Sequence, residues 1–102
     1  PLQKTNILNP NSGIDGIAQQ NGVIYLVNNP TESGKEWVNG RHKLMIAISF
    51  DGIEWFDVYY LENEETGEFS YPAIIKTSDG LIHITYTYNR KNIKHIIFKS
   101  NF

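Results

Sequence analysis

The 102-residue sequence contains no cysteine. Disulfides and thiolate metal sites are therefore excluded, and redox usage carries no information on compartment. Neither sign of charge dominates: nine Lys and Arg against eleven Asp and Glu give a formal net charge of −2. The basic residues are scattered, so there is no stripe to hold a nucleic-acid backbone and no basic amphipathic helix to lie on a membrane. No apolar run approaches the length of a membrane span, and no leader-like stretch is found. His42, His83 and His95 are too far apart in sequence to form a metal motif; His83 reads as a strand side chain and His95 as a surface imidazole. No metal or cofactor is expected. Low-complexity runs are absent too, and 40% hydrophobic with 13% aromatic residues suit a globular unit with one modest core. The chain opens on Pro1 rather than Met, which reads either as removal of a leader or as a piece of something longer.

Helical spacing is missing as well; what is there has the period of strands. Val23-Ile24-Tyr25-Leu26-Val27, the run from Lys43 to Ile48 and the run from Leu81 to Tyr88 are short and rich in β-branched and aromatic residues. Turn formers bound them. Asn21-Gly22 and Asp79-Gly80 sit between apolar runs and predict tight type I′ hairpins, in which both central residues take positive φ. The fold class is all-β, an antiparallel meander.

The meander repeats. Ser12 to Val27 aligns without a gap on Ser70 to Thr85, each copy a serine, an apolar strand, a tight turn and a second apolar strand. After the first copy come a polar loop from Asn28 to Gly40, a strand near Lys43–Phe50 and an outer strand near Phe56–Leu61. The second is followed by a short turn at Asn89–Asn92 and a strand at Ile93–Lys99. This spacing predicts a four-stranded blade of a propeller over about residues 12–62 and a three-stranded one over about 69–100. The leading segment Leu2–Leu8 reads as one strand left over. Two blades cannot close a ring, so either the chain is a fragment or several copies associate to finish one. The competing architecture is a compact sandwich of about seven strands.

Ser49-Phe50-Asp51-Gly52-Ile53-Glu54-Trp55 resembles the Asp-box of sialidases and other BNR-repeat proteins, whose usual pattern is Ser-x-Asp-x-Gly-x-Thr-Trp. One residue is missing before Gly52, and Glu54 replaces the threonine. The box is a structural turn in which the Asp side chain accepts backbone N–H bonds, so Asp51 and Trp55 are assigned no chemistry. Asn9 to Asp15, Gly40-Arg41, the degenerate box and Phe69 to Thr87 follow in an order similar to the last portion of bacterial proteins of predicted neuraminidase type, ending in Ile93-Lys94-His95.

The resemblance implies two blades of a six-bladed sialidase-like β-propeller and a glycan as substrate or ligand. In that family the last blade begins with a nucleophilic tyrosine in a Tyr-Ser context, which maps onto Tyr71 beside Ser70. A neutral phenol avoids the repulsion that an attacking carboxylate meets from the acid group of sialic acid, and a neighbouring glutamate takes its proton. Pro72 follows Tyr71 where a small polar residue is usual, and Thr87 stands where a glutamate normally braces an arginine. Arg41 matches one of the family's three carboxylate-binding arginines, since guanidinium pairs with carboxylate bidentately. Arg90 is the other arginine present, so one copy cannot supply three. Asn11 and Asp15 join Arg41 as candidate substrate contacts, although Asp15 reads first as a hydrogen-bonding residue at a strand mouth. The acidic group Glu62, Glu64, Glu65 and Glu68 reads as a solvated loop without calcium-loop spacing.

The expected function is the C-terminal part of a sialidase-like glycoside hydrolase, silent by itself because acid, base and two arginines would lie in other blades. The alternatives are a non-catalytic carbohydrate- or protein-binding module using Trp37, Asn11 and Tyr71, or a structural repeat that oligomerises into a ring.

Overall fold

The computed structural model describes residues 4–32, 34 and 40–102. Among them there are seven strands and no helix. The strands β1 (Asp15–Ala18), β2 (Ile24–Asn28), β3 (Lys43–Ser49) and β4 (Phe56–Asn63) form one antiparallel sheet in that order. A second sheet follows from β5 (Phe69–Lys76), β6 (Leu81–Tyr88) and β7 (Asn92–Lys99), again in chain order. These are the two meander blades that the repeat predicts.

The repeat survives at the level of single hydrogen bonds. In the first hairpin Gln19 N–H donates to the Val23 carbonyl at 2.9 Å, and Gly22 N–H to the Gln19 carbonyl at 3.0 Å. The aligned residues do the same: Thr77 N–H to the Leu81 carbonyl and Gly80 N–H to the Thr77 carbonyl, both at 2.9 Å. The turn type differs from expectation. Gly22 and Gly80 have φ of 91° and 86°, but Asn21 and Asp79 do not join them at positive φ. Each hairpin is thus a type I turn followed by a glycine bulge, not a type I′ turn. The amide and carboxylate remain useful, because Asn21 Oδ1 accepts Val23 N–H and Asp79 Oδ1 accepts Leu81 N–H. Positive φ at both central positions occurs instead at Asn89 (52°) and Arg90 (57°), between β6 and β7.

One apolar core lies between the sheets. Tyr25, Val27, Leu44, Ile46 and Ile48 from the first meet Phe69, Ile74, Ile82, Ile84 and Tyr86 from the second. Alternation in β6 explains the choice: Ile82, Ile84 and Tyr86 point inward while Leu81, His83, Thr85 and Thr87 point away. Full burial of side chains such as Phe69 or Ile84 contributes about 1.5–3 kcal/mol each. The sheets approach most closely at the first strand of each, β1 against β5. Their far strands diverge, leaving a groove of about 350 Å³ whose walls include Val58 and Tyr59 of β4 and Ile96 and Phe98 of β7. A wedge of this kind is how neighbouring blades converge on a propeller axis; a sandwich would keep its sheets together throughout.

Two local expectations need correction. Residues 4–8 carry no strand, and residues 1–3 lie outside the described part. Side chains replace the ladder here: Asn6 donates Nδ2–H to the Trp55 carbonyl (3.1 Å) and accepts Trp55 N–H (2.8 Å), while Asn28 Nδ2–H donates to the Leu8 carbonyl (2.7 Å). The acidic segment is not uniformly solvated either. Glu62 and Glu68 are buried, because each has cationic and hydroxyl donors waiting. Glu62 Oε2 receives Tyr86 Oη–H (2.5 Å) and Lys94 Nζ (2.8 Å), and Glu68 Oε2 receives Arg90 Nε–H (2.9 Å) and Ser70 Oγ–H (3.3 Å).

Candidate functional site

Tyr71 owes its position to a fault in the β5 ladder. Ser70 pairs with Thr87 and Ala73 with Thr85, so Tyr71 and Pro72 together oppose the single residue Tyr86. That is a β-bulge, and Pro72, with no N–H to give, suits the broken rung. Pro72 is buried and Tyr71 is thrown outward, 63% exposed, with φ of 52°. A bulky residue in the left-handed region costs about 1–3 kcal/mol and persists only where its surroundings enforce it. The sequence difference that set Pro72 apart from the usual pattern is therefore what aims the tyrosine.

The surroundings include Arg41. Its Cζ lies 5.7 Å from the Tyr71 ring centroid, a cation–π distance, and Nη2–H donates to the Asn11 carbonyl at 2.8 Å. Arg41 is buried rather than an exposed loop residue, and its own carbonyl accepts Phe69 N–H at 2.8 Å. Asn11 contributes its backbone oxygen, not its amide, to this arrangement. Gly13 closes the other side, since a Cβ there would stand 3.7 Å from Tyr71 Cδ1.

Asp15 reaches β5 from the first blade. Its Oδ2 accepts Ile74 N–H at 2.9 Å, capping an N–H on the free edge of β5. This is the hydrogen-bonding role read first from the sequence. Tyr71, Arg41 and the Asn11 carbonyl thus meet beside the seam between the first strands of the two blades, and Asp15 bonds to β5 three residues further along. Trp37 lies outside the described residues.

Asn29 holds this seam closed and gave no sign of it in sequence. Fully buried, it donates Nδ2–H to the carbonyls of Lys43 (2.6 Å) and Phe69 (2.9 Å) and accepts Ser12 Oγ–H (2.7 Å) on Oδ1. Its N–H donates to Asn9 Oδ1 at 3.1 Å. Both blades and the entry loop meet on one amide. Asn28-Asn29-Pro30 looks like the start of a polar loop, and nothing local distinguishes it.

The chemistry available is limited. Among the described residues no carboxylate is hydrogen-bonded to the Tyr71 hydroxyl. A tyrosine–glutamate pair does exist, Tyr86 with Glu62, but both are buried and Lys94 shares the carboxylate. Burial first, then the Glu62 carboxylate, pushes the Tyr86 phenol well above its ordinary range, which suits a structural donor and not a nucleophile.

The box from Ser49 to Trp55 is a closed turn. Asp51 Oδ1 accepts the N–H groups of Ile53 (2.8 Å) and Glu54 (2.9 Å), and Ser49 Oγ accepts that of Gly52 (2.7 Å). These bonds hold the Asp51 carboxyl below the usual carboxylate value. A sequence model of the BNR repeat-like domain matches residues 1–84. The chain belongs to the BNR repeat-like family. The match takes in the Asp-box turn, the Arg41–Tyr71 cluster and both hairpins of the repeat, and stops within β6. Among curated proteins and solved structures, none matches the chain. The BNR repeat-like assignment fits a sialidase-like repeat architecture, with Asp51 in the turn as expected and no chemistry assigned to it.

Proposed function

We propose that this BNR repeat-like chain is the C-terminal two-blade portion of a sialidase-like propeller, and that its Tyr71–Arg41 cluster contacts a glycan. The observation that carries the reading is the bulge that holds an exposed tyrosine at positive φ above a buried guanidinium. An aromatic face rimmed by polar groups suits the apolar face and hydroxyls of a sugar, and a cation below suits an acidic one. In the glycoside hydrolase reading Tyr71 is the nucleophile of the parent protein, Arg41 a carboxylate contact, and Asp15 and Asn11 the shape of the rim. No base for the phenol stands among the described residues, which supports the reading of a chain that is silent by itself.

The repeat supports further blades. Under the ungapped alignment Ile17, Val23, Tyr25 and Val27, which face the second blade, correspond to Ile75, Leu81, His83 and Thr85. Those residues form the outward face of the second blade, with Ile75 57% exposed. Such a face is ready to receive another blade, from the same protein or from a second copy.

The test is an NMR titration of the chain with sialyllactose and with lactose, beside a fluorogenic sialoside assay. Binding that falls at least tenfold in Tyr71→Ala, without turnover, is expected. Binding unaffected by Tyr71→Ala sinks the site, and turnover by the chain alone sinks its assignment as an incomplete enzyme. Sedimentation distinguishes a monomeric fragment from a ring: three two-blade copies would make the six-bladed form.

A further inference from the structure

Two histidines separated in sequence meet on the outward face of the second blade. Thr85 pairs with His95 and His83 with Ile97, which makes the histidines diagonal neighbours on adjacent strands. Their ring planes lie within 24° of each other, and with centroids 5.3 Å apart and His83 Nδ1 3.1 Å from His95 Nε2 the rings meet end to end, nitrogen facing nitrogen. His83 is half-buried and His95 exposed.

The protons on this pair are fixed by what lies behind it. Thr77 Oγ–H is donated to Asp79 Oδ1, so the Thr77 oxygen can accept from His83 Nε2, 3.2 Å away. His83 then carries its proton on Nε2, and Nδ1 presents a lone pair to His95. A carboxylate acting through a hydroxyl on the rear nitrogen is the arrangement that orients metal-binding imidazoles.

We propose that His83 Nδ1 and His95 Nε2 form a two-nitrogen chelate for a divalent transition metal ion, Cu²⁺ or Zn²⁺. Two nitrogens at about 2.0–2.1 Å from a tetrahedral ion stand about 3.3 Å apart, close to the observed separation, and each ring swings off the nitrogen–nitrogen line to aim its lone pair at the shared ion. His95 moves its proton from Nε2 to Nδ1 through water, which frees the Nε2 lone pair for the metal. No group of three or more potential ligands occurs among the described residues, so water fills the other positions. The site stands on the described side chains of this chain by itself and does not depend on the glycan contact, and a further blade seated on this face would cover it.

Isothermal titration of the full chain with CuCl₂ and with ZnCl₂ tests this. Micromolar binding is expected, tighter for Cu²⁺ in keeping with the usual affinity order. His95→Ala, at an exposed position that leaves the fold intact, is expected to lose at least tenfold, and His42→Ala nothing. Thr77→Val weakens binding about tenfold by freeing the rear nitrogen. The electron paramagnetic resonance spectrum of the Cu²⁺ form shows two nitrogen ligands, falling to one in His95→Ala. Parent affinity in His95→Ala, or no binding at millimolar metal, overturns the site; parent affinity in Thr77→Val overturns the role of the Thr77–Asp79 pair.

Discussion

The Tyr86 hydroxyl, on the middle strand of the second blade, donates to Glu62 on the last strand of the first at 2.5 Å. The bond ties the blades together inside the core, and Lys94 balances the charge at 2.8 Å. Removing only the acceptor leaves a buried phenol unsatisfied, whereas removing only the phenol leaves Glu62 paired with Lys94. Glu62→Leu is therefore expected to cost about 1–3 kcal/mol and Tyr86→Phe about 1 kcal/mol, measured by urea denaturation. The reverse order would show that the salt bridge, not the phenol, sets the energetics.

The same group makes stability fall in alkali. Burial and the Glu62 carboxylate raise the Tyr86 phenol, and the hydrogen bond to Glu62 raises the Lys94 ammonium. The folded state thus holds protons that the unfolded chain releases from about pH 10 upward. The contribution is complete below that pH and is lost as pH climbs toward the folded values. Denaturation midpoints between pH 9 and pH 11.5, both about the range of those groups, should drop in the parent and drop less in Tyr86→Phe.

Asn29 is expected to be the most sensitive polar position described. Asn29→Ala strands two buried carbonyls and the Ser12 hydroxyl at once, and a loss of about 2–4 kcal/mol is expected. Asn11→Ala, by contrast, keeps the carbonyl that Arg41 uses and should stay within about 0.5 kcal/mol of the parent. Equal losses at both positions would refute the seam as drawn.

Strand existence, order and the two-unit repeat were legible because Ser12–Val27 and Ser70–Thr85 carry the same alternation and the same glycine at the same point. The turn type was not, because a glycine at positive φ serves a type I′ turn and a bulged type I turn alike. Tyr71 and Arg41 were singled out through family resemblance, and Asp15 through its place at a strand mouth. Asn29, Glu62 and Glu68 were not found, since polar residues in a polar stretch look solvated until their partners on other strands are known. The histidine pair had a signal: folding the Leu81–Tyr88 strand back at Asn89–Asn92 already brings His95 close to His83.

Acid should act through the two turn carboxylates. Backbone N–H groups of Ile53 and Glu54 hold Asp51 low, and Thr77 with the Leu81 N–H holds Asp79 low. A depressed folded value means stabilisation that is present above the unfolded value and lost as pH falls through the folded one, so the window lies below about pH 4. Asp51→Asn removes this titration from the Asp-box turn. Its thermal midpoint should lie below the parent's at neutral pH and fall less steeply from pH 4 to pH 2.5, about the range over which a depressed carboxylate titrates. Parallel pH profiles for the two proteins would mean that the charge on Asp51 does nothing for the turn.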